Sequence, residues 1–289
     1  MEQLLLNEVL LNDTSPSPHN GAYQKSFLKW AGGKYKLLPR ILAAIPDGKR
    51  LIEPFAGSAV VSLNAPHLIR LASDSNNDLI NLYHAVATNY DEFVSECSLL
   101  FTAEHNTRVA FEELRHEFNN SIDPFRRSVI FVYLNRHCFN GLCRYNSKGR
   151  FNVPFGKYTN PQFPLREVTQ FKQAAASIIF NNVSFEQAML GAKNGDVVYC
   201  DPPYVPLSLT SNFTSYTEGS FGPTEQRRLA ELARELQSGG IPVVISNHDT
   251  EFTRELYKGS IIESFGVQRN ISSDGANRGR APELLAIFK

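Results

Sequence analysis

The order of the apolar stretches limits what this 289-residue chain can fold into. Two regions alternate short apolar stretches with helical ones: residues 50–76, and residues 177–268, which hold "SIIFNN", "GDVVYCDPP", "IPVVISNHD" and "IIESFGVQ". Such alternation is typical of an open, mostly parallel sheet with helices on both faces. The sequence therefore predicts an α/β fold, with strands at 51–53 and ending near Asp74 in the first region. In the second region, Thr224 is the predicted N-cap of the helix "TEQRRLAELARELQ".

The middle of the chain follows a different pattern. From Asp78 to about Cys138 the apolar spacing is helical almost throughout, and the stretch "NGLCRYNSKGRFNVPFGKY" that follows predicts a hairpin or a structured loop. A block of this kind between two sheet-forming regions predicts an insertion that forms a second, mostly helical domain. The predicted division is a poorly ordered leader at 1–24, a sheet domain at 25–76 and 165–289, and the inserted domain at 77–164.

Charge is distributed unevenly along the chain, although the formal net charge is zero. A net charge of zero argues against a protein that binds nucleic acid with its whole surface. Residues 106–150, however, contain eight Lys and Arg residues and four Asp and Glu residues. From charge alone, this excess fits a solvated helical face as well as it fits a local surface for nucleic acid.

Composition indicates a soluble globular protein of a reducing compartment. Hydrophobic residues make up 42% of the chain and charged residues 20%, and no apolar run approaches the roughly 20 residues of a membrane-spanning helix. Nothing basic precedes the first apolar run, so no signal peptide is expected. The four cysteines form no C-x-x-C pair, which favours buried, reduced cysteines and no metal site. We therefore expect a cytoplasmic protein without a membrane or metal partner.

Two segments near the first strand have features of a ligand-binding turn. In "EPFAGSAV" a glycine lets backbone N–H groups approach a ligand, and Asp74 follows Glu53 by 21 residues, a placement that suits a carboxylate bonded to ribose hydroxyls. In "FLKWAGGKYKLL", two glycines flanked by Trp30 and two lysines suggest backbone wrapped closely around a ligand. Ordinary turns fit both segments too, and the chain lacks the G-x-G-x-x-G and P-loop patterns.

The stretch "VVYCDPPYVPLS" is more specific. An apolar strand ends in Asp201, which the next proline holds in extended geometry, and Pro202 and Pro203 have no N–H, so their carbonyls are expected to be free acceptors. A carboxylate and a carbonyl that converge on one point hold an amino group well, while Tyr204 can stack on a planar ring. Two acceptors on the hydrogens of an exocyclic base amine favour a tetrahedral nitrogen that can attack a methyl group. A rigid loop between strand and helix is the alternative.

Five stretches together resemble the Dam-type DNA adenine N6-methyltransferases, which include the bacterial enzyme that modifies adenine in GATC. They are, in order, "FLKWAGGKYKLL", "LIEPFAG", "DPFRRSVIFVYLNRHCFNGLCRYNSKGRFNVPFGKY", "VVYCDPPYVPLS" and "PVVISNHDT". The similarity extends over residues 27–288. It implies a Rossmann-like S-adenosylmethionine-dependent methyltransferase sheet as the catalytic domain, and it makes the inserted helical domain, with its hairpin loop, the target-recognition domain for DNA.

The resemblance also implies the chemistry. It implies S-adenosylmethionine as the methyl donor, no metal, and double-stranded DNA as the partner of a monomeric protein, either bacterial and nucleoid-associated or encoded by a phage. Asp201 and the Pro202 carbonyl hold the target amine, and Tyr204 stacks on an adenine that has left the duplex at a cost of a few kcal/mol. The implied catalytic residues are Asp201, Pro202, Pro203 and Tyr204, and the donor-binding residues are Trp30, Lys34, Phe55, Gly57, Asp74 and Asp201.

A set of DNA-binding residues is implied in the same way. Arg144 is suited to a bidentate bond with guanine, and Phe139 and Asn140 match residues that wedge into the duplex. Leu142 and Pro154 match base-contacting residues. The remaining positions match residues at the outer part of the site (Lys29 and Tyr158), at phosphates (Arg115 and Arg136) and, unless they are only surface charges, at the DNA backbone (Arg269, Arg278 and Arg280).

Two positions depart from the family pattern and keep alternatives open. Ala59 replaces the usual second glycine of the turn; its methyl group is expected to be tolerated if φ is negative, although donor affinity could suffer. Phe139 stands where the family usually has tyrosine. The alternatives are a catalytically inactive DNA-binding homologue and an adenine methyltransferase with a different short site. A protein-glutamine methyltransferase fits the "DPPY" corner but not "NRHCFNGLCRYN", and a cytosine-amine enzyme fits less well.

Overall fold

The computed structural model describes residues 23–205, 221–268 and 280–289, without the side chains of Gln268 and Arg280. The described chain packs into two compact units. Unit 1 holds residues 23–38 and 56–182, and unit 2 holds residues 39–55 together with the described part of 183–289. The division into a catalytic and an inserted domain is a different, functional division, and it stays a prediction.

Helices and strands alternate in the two predicted regions of the chain, and a block of helices lies between these regions. The helices are α1 (Leu38–Ala44), α2 (Val60–Asn64), α3 (Asn77–Thr88), α4 (Tyr90–Leu100), α5 (Arg108–Asn120), α6 (Pro124–His137), α7 (Leu165–Ala175), α8 (Phe185–Leu190), α9 (Pro223–Ser238) and α10 (Glu251–Leu256), with 3₁₀ turns at Tyr35–Leu37 and Phe139–Gly141. The strands are β1 (Arg50–Glu53), β2 (Ile69–Ser73), β3 (Ile178–Asn181), β4 (Asp196–Cys200), β5 (Val243–His248), β6 (Ile261–Gln268) and β7 (Arg280–Phe288). The α/β class is therefore confirmed.

Helix α6 is the centre of unit 1. Its residues from Ser128 to Asn135 are all buried, which is the pattern of a helix covered on every side. The helix starts at the N-cap Asp123, whose side chain accepts from the Phe125 N–H, with Pro124 in the first turn. The helical structure predicted from Asp78 to about Cys138 is confirmed, and it consists of the four helices α3 to α6.

Unit 1 also contains two parallel strands. Strand β2 pairs with β3, Arg70 opposite Ile178 and Ser73 opposite Asn181. The ladder continues past the end of β2, because the Asp74 N–H donates to the Asn181 carbonyl at 3.2 Å. The backbone of Asp74 is thereby fixed at the carboxyl end of its strand, where open α/β sheets bind their ligands.

Unit 2 contains the other five strands, in the order β1-β4-β5-β7-β6. Strands β1, β4 and β5 are parallel, and every residue of β4 is buried, as expected for a central parallel strand. Strand β7 runs antiparallel to both β5 and β6. Sequence analysis missed β7, because the short apolar run "LLAIF" has no alternation that would separate a buried strand from a helix.

Two chain boundaries differ from the prediction. Helix α9 has Gly222, not Thr224, as its N-cap, because Pro223 suits the first helical position and Glu225 accepts from the Gly222 N–H at 2.7 Å. Of the predicted leader, residues 1–22 lie outside the described residues, whereas Gln24 is held by Asn64: its N–H donates to Asn64 Oδ1 at 2.7 Å, and its carbonyl accepts from Asn64 Nδ2 at 2.9 Å.

Candidate active site and nucleic-acid interface

Three of the predicted donor-binding residues lie together in unit 1. Gly57 has φ +45°, and a Cβ at this position would lie 2.8 Å from the Trp30 indole Nε1. The Gly57 N–H donates to Asp74 Oδ2 at 3.0 Å, and its carbonyl accepts from the Tyr83 hydroxyl. Only glycine allows the indole to pack this closely on a turn with a positive φ, so the glycine predicted at this position has a steric role.

The Asp74 carboxylate is half-buried and bonded to backbone. Its Oδ1 accepts from the Asn76 N–H at 2.9 Å, in addition to the bond from Gly57. Burial raises the pKa of the Asp74 carboxyl, and the two backbone hydrogen bonds oppose that rise. Because a carboxylate has about four acceptor positions, both oxygens can still accept from hydroxyl groups of a ligand.

The two other donor-binding candidates have different surroundings. Lys34 is 7% exposed, and its ammonium donates to the Gly32 carbonyl at 2.9 Å. Phe55 belongs to unit 2, where its ring stacks on Phe185 at 5.4 Å between centroids and meets Phe221 edge-on at 5.3 Å. Lys34 therefore presents a cation near the Trp30 turn, and Phe55 forms part of an aromatic cluster.

Ala59 does not meet the condition under which its methyl group was expected to be tolerated. It is the N-cap of α2, with φ 55° and ψ 19°, so it adopts the left-handed conformation that favours glycine. Its side chain is fully buried among the apolar residues of unit 1. The methyl group is thus in the core, and the conformational penalty, of about 1–2 kcal/mol, is borne by the fold.

Asp201, in unit 2, is held by a buried serine. It follows β4, and its Oδ1 accepts from the Ser246 hydroxyl of β5 at 2.9 Å. Ser246 is 1% exposed and lies 3.1 Å from the Tyr199 hydroxyl. The serine hydroxyl has one hydrogen and two lone pairs. When the Tyr199 hydroxyl donates to one of these lone pairs, the serine hydrogen is available to the Asp201 carboxylate.

The two proline carbonyls of the corner, residues 201–205, differ in their hydrogen bonding. Gln226 Nε2, from α9, donates to the Pro203 carbonyl at 2.7 Å, so the expectation that both carbonyls are free acceptors is wrong for Pro203. No donor among the described residues bonds the Pro202 carbonyl. The corner therefore keeps one proline carbonyl, that of Pro202, beside the Asp201 carboxylate.

Tyr204 is fixed at both its ring and its hydroxyl. The hydroxyl donates to Glu283 Oε2 of β7 at 3.3 Å, and the ring meets His248 edge-on at 4.8 Å. Burial raises the pKa of the Tyr204 hydroxyl well above its ordinary value. The next residue is held as well, since the Val205 N–H donates to Asn247 Oδ1 at 3.2 Å and its carbonyl contacts His248 Nδ1 at 2.5 Å.

The predicted hairpin, residues 140–158 of unit 1, contains the isolated antiparallel bridge of Tyr145 with Phe151, and a second bridge joins Cys138 to Phe155. With Phe139 it is called the hairpin loop, residues 139–158. Its Arg144 is exposed, and the guanidinium donates from Nε to Asn152 Oδ1 at 2.8 Å and from Nη2 to the Asn152 carbonyl at 3.4 Å. Asn152 thus orients one edge of the guanidinium. Sequence analysis did not find this residue.

Lys29, Asn140 and Tyr158 meet at the start of the loop. The Lys29 ammonium lies 4.1 Å from the centroid of the Tyr158 ring, and the Tyr158 hydroxyl accepts from the Asn140 N–H at 3.0 Å. Asn135 of α6 fixes the Lys29 backbone from both sides, accepting from its N–H at 2.9 Å and donating to its carbonyl at 2.7 Å. Burial and the nearby Arg136 lower the pKa of Lys29.

The three apolar candidates of the loop differ in exposure. Phe139 is 52% exposed, and Pro154 is exposed as well. Leu142 is partly buried against the core of unit 1. The Phe139 N–H donates to the Pro154 carbonyl at 2.8 Å. The backbone of Phe139 is therefore fixed by a hydrogen bond, although its ring is exposed.

The basic residues of positions 106–150 differ in their partners. Arg115, Arg126 and Arg127 have acidic partners in Glu112, Glu117 and Asp78. Arg115 also donates to the Val153 carbonyl at 3.2 Å, and Arg136 donates to the Phe27 carbonyl at 2.5 Å. The exposed basic residues without an acidic partner among the described residues include Arg144, Lys148 and Arg150 of the loop. Arg269 and Arg278 lie outside the described residues, as does the side chain of Arg280.

Comparison with known proteins identifies the family. The sequence pattern of the family described as "D12 class N6 adenine-specific DNA methyltransferase" matches residues 30–271. The chain belongs to this family. Proteins named DNA adenine methylase are similar over most of their length: 48% identity over 265 residues for those of Salmonella typhi and Escherichia coli (strain K12), with 92% of this chain and 95% of each relative covered, and 46% over 266 residues for that of Serratia marcescens, with 92% and 98% covered.

Family membership confirms three predictions. The chain is an adenine-specific DNA methyltransferase, its fold is consistent with the Rossmann-like methyltransferase fold, and its substrate is DNA. A methyltransferase of this family implies a methyl donor of the S-adenosylmethionine type. None of the described helices combines the length and apolarity needed to span a membrane.

Six polar residues that bond the proposed functional residues or their neighbours were not predicted from the sequence. They are Asn135 and Asn152 in unit 1, and Gln226, Ser246, Asn247 and Glu283 in unit 2. "PVVISNHDT" and "TEQRRLAELARELQ" contain three of them, but a polar residue at the end of a strand or on a helix carries no signal of its partner. Only the tertiary contacts identify these residues.

Proposed function

We propose that this protein transfers a methyl group from S-adenosylmethionine to the N6 amine of an adenine that has been rotated out of double-stranded DNA, within the sequence GATC. The observation that carries the proposal is the pair of acceptors at the corner: the Asp201 carboxylate and the Pro202 carbonyl, next to the Tyr204 ring. We further propose that the enzyme acts as a monomer in the cytoplasm, on bacterial DNA or on that of a phage.

The corner is suited to an amine. Asp201 accepts one hydrogen of the adenine N6 amine and the Pro202 carbonyl accepts the other, so that the nitrogen lone pair is less delocalised into the ring and becomes available for attack. Tyr204 stacks on the base, and its hydroxyl bond to Glu283 fixes the plane of the ring. Buried donors and acceptors that are already oriented need not reorganise during the reaction.

The donor-binding set is suited to S-adenosylmethionine. When bound, this compound supplies an electrophilic methyl group on a sulfonium sulfur. Asp74 accepts hydrogen bonds from the ribose hydroxyls, Lys34 is the cation for the carboxylate, and Trp30 packs against an apolar part of the ligand. Phe55, with its aromatic cluster, Gly57, with its backbone groups, and Asp201 complete the proposed set. The lone pairs that remain on the Asp74 carboxylate support this assignment.

The hairpin loop is suited to reading the bases. Arg144 has its Nη1 edge left to donate to guanine after Asn152 takes the other edge. Phe139 and Asn140 wedge into the duplex beside the target, and Leu142 and Pro154 contact bases. Lys29 and Tyr158 lie at the outer part of the site. Arg115 and Arg136 contact phosphates, and we expect them to contribute least because they are less exposed than Arg144 and already bond backbone carbonyls of the protein.

A catalytically inactive, DNA-binding homologue is the second candidate, and the left-handed Ala59 is the observation that favours it, because that residue follows the donor-binding turn. An adenine methyltransferase with another short recognition site is the third. The three candidates give different results in one experiment.

The experiment uses purified full-length protein, radiolabelled S-adenosylmethionine and three duplexes that contain GATC, a single-base variant of GATC, or no adenine at the target position. We expect N6-methyladenine in the GATC duplex alone, identified by mass spectrometry of the nucleosides. Methylation of the variant duplex at a similar rate would contradict the proposed GATC specificity, but it would still support methyl transfer to the N6 amine of adenine. DNA binding without any methyl transfer would establish the inactive homologue.

A further inference from the structure

A buried network of three polar side chains lies behind the corner, and the proposed chemistry does not use it. Gln226 of α9 is 2% exposed, Asn247 of β5 is fully buried, and so is Tyr257, which follows α10. Gln226 Nε2 donates to the Pro203 carbonyl at 2.7 Å. Buried polar groups are costly unless they are hydrogen-bonded, and each of these three side chains is hydrogen-bonded within the network.

The network determines how the Gln226 amide is oriented. Its Oε1 accepts from Asn247 Nδ2 at 3.1 Å and lies 3.4 Å from the Tyr257 hydroxyl. Asn247 Nδ2 lies 3.0 Å from the same hydroxyl. With two donors on its oxygen, the amide must direct its NH₂ group to the Pro203 carbonyl, because the flipped amide would leave donors against donors.

The bond to Pro203 also orients the carbonyl of the preceding residue. The ring of Pro203 fixes its φ, so one torsion, ψ of Pro203, separates the Pro202 and Pro203 carbonyls. A carbonyl held at Pro203 therefore limits where the Pro202 carbonyl can lie. Asn247 acts from the other side, since its Oδ1 accepts from the Val205 N–H at 3.2 Å.

We propose that Gln226 is a positioning residue for methyl transfer: its amide, oriented by Asn247 and Tyr257, takes the Pro203 carbonyl, and thereby leaves the Pro202 carbonyl beside Asp201 as the acceptor for the adenine amine. The inference rests on the proposed function of the corner. It assigns to Gln226 no contact with the substrate or with the methyl donor.

The first test is Gln226→Met, which has a similar length and no donor, with Gln237→Met as the matched control. Gln237 lies on the same helix, and its Nε2 also donates to a backbone carbonyl, that of Lys289 at 3.1 Å, away from the corner. We expect the single-turnover rate of Gln226→Met, at saturating DNA and donor, to fall by about 10- to 100-fold, with both Kd values within about twofold. The control is expected to keep the wild-type rate.

The second test is the pH profile of Gln226→Glu, measured over pH 5.5 to 8.5 with circular dichroism at each pH to confirm folding. A protonated glutamic acid can donate to the Pro203 carbonyl and still accept from Asn247, whereas a glutamate cannot donate. Burial raises the pKa of a carboxyl, so the rate relative to wild type is expected to be highest at low pH and to fall as pH rises. A merely structural residue would give a flat ratio.

The outcomes separate this inference from the proposed function. If the single-turnover rate of Asp201→Ala falls by less than about tenfold, the corner is not the site and both proposals fail. If that rate falls by about 10³-fold while Gln226→Met matches its control and the Gln226→Glu ratio is flat, only the inference is overturned. If Gln226→Met does not fold, the pH profile of Gln226→Glu decides alone: a falling ratio supports the inference and a flat one overturns it.

Discussion

The corner, residues 201–205, and the hairpin loop, residues 139–158, are stabilised differently. In the corner, side chains from β5, α9 and β7 bond successive groups: the Asp201 carboxylate, the Pro203 carbonyl, the Tyr204 hydroxyl and the Val205 amide. In the loop, Arg115 and Asn119 of α5 bond the backbone at Phe151 and Val153. The side chains proposed to meet DNA are exposed instead: Phe139, Asn140, Arg144 and Pro154.

The difference follows from what each region must recognise. A reacting amine has to meet acceptors within a few tenths of an ångström, so the groups that hold it are oriented before the substrate arrives. A base edge in a DNA groove is reached by long side chains that adjust on binding, and Arg144 has one such anchor, Asn152. We therefore expect substitutions in the corner to act on the rate of transfer and those in the loop to act on the choice of sequence.

The largest expected effect is that of Asp201→Ala. Removal of the carboxylate takes away one of two acceptors for the amine, and we expect the single-turnover rate to fall by at least about 10³-fold, or about 4 kcal/mol. Fluorescence titration should show a DNA affinity that changes little, and the rate is measured at saturating donor because Asp201 also belongs to the proposed donor-binding set. Asp201→Asn, whose side-chain oxygen can still accept, is the control. Its single-turnover rate is expected to lie between those of wild type and Asp201→Ala. A rate loss below tenfold for Asp201→Ala would remove the corner from the reaction.

Arg144→Ala tests the other side of the comparison. We expect discrimination between GATC and its single-base variants to weaken by about 1–3 kcal/mol, while the maximal rate on GATC changes much less, because the corner is intact. The measurement is kcat/KM on the GATC duplex and on each variant. Asn152→Ala should reproduce part of the effect, since it leaves the arginine in place but unanchored. Equal loss on all duplexes would instead make Arg144 a phosphate-binding residue.

Acid is expected to destabilise the fold at the end of α6, where the hairpin loop begins. His137, the last residue of α6, contacts the Tyr133 carbonyl through Nδ1 at 2.9 Å, and its buried Nε2 has no partner in the described structure. Burial, with a smaller contribution from Lys29, lowers the pKa of His137 to about 4. This pKa lies below that of histidine in the unfolded chain, about 6.5. Neutral His137 therefore makes its full contribution to the free energy of unfolding above pH 6.5. At most about 3 kcal/mol of that contribution is lost as the pH falls toward 4.

Urea denaturation between pH 7.5 and 5 measures this loss in wild type and in His137→Phe, which keeps a ring beside Tyr133 and does not titrate. The wild-type free energy of unfolding should fall more steeply with decreasing pH than that of the variant. Parallel slopes would show that His137 takes up its proton equally well in the folded chain.

The sequence predicted the parts of the site in which the chain itself carries the signal. Proline after Asp201 restricts the backbone locally, and Gly57 marks a turn, so both were found without knowledge of tertiary structure. Ser246 and Gln226 could not be found, because their partners lie 45 and 23 residues away in sequence and a serine or a glutamine has the same appearance whatever it bonds.

The fold was predictable for a similar reason and to a similar extent. Strands β1 to β6 lie in apolar stretches with turns around them, and helices α3 to α6 have regular apolar spacing. Strand β7 is defined by its pairing with β5 and β6, which is not local. The occupied Pro203 carbonyl and the positive φ of Ala59 were likewise outside what residue types can show.

The smallest expected effect is that of Ala59→Gly. This variant sharpens the comparison between corner and loop. The donor-binding turn belongs to unit 1, as the loop does, but it is buried and hydrogen-bonded, as the corner is. Glycine relieves the left-handed conformation, by about 1–2 kcal/mol, but it costs about 0.5–1 kcal/mol in the unfolded chain and loses a buried methyl group worth about 0.8 kcal/mol.

These terms nearly cancel, so we expect the free energy of unfolding of Ala59→Gly to stay within about 1 kcal/mol of wild type. The Kd for the donor, measured by isothermal titration, should change less than about twofold, because the methyl group lies in the core and not at the ligand. The control is Ala72→Gly, a fully buried alanine of β2, which loses stability without any relief of strain. A tenfold gain in donor affinity for Ala59→Gly would show instead that the methyl group restricts the turn and weakens binding of the donor.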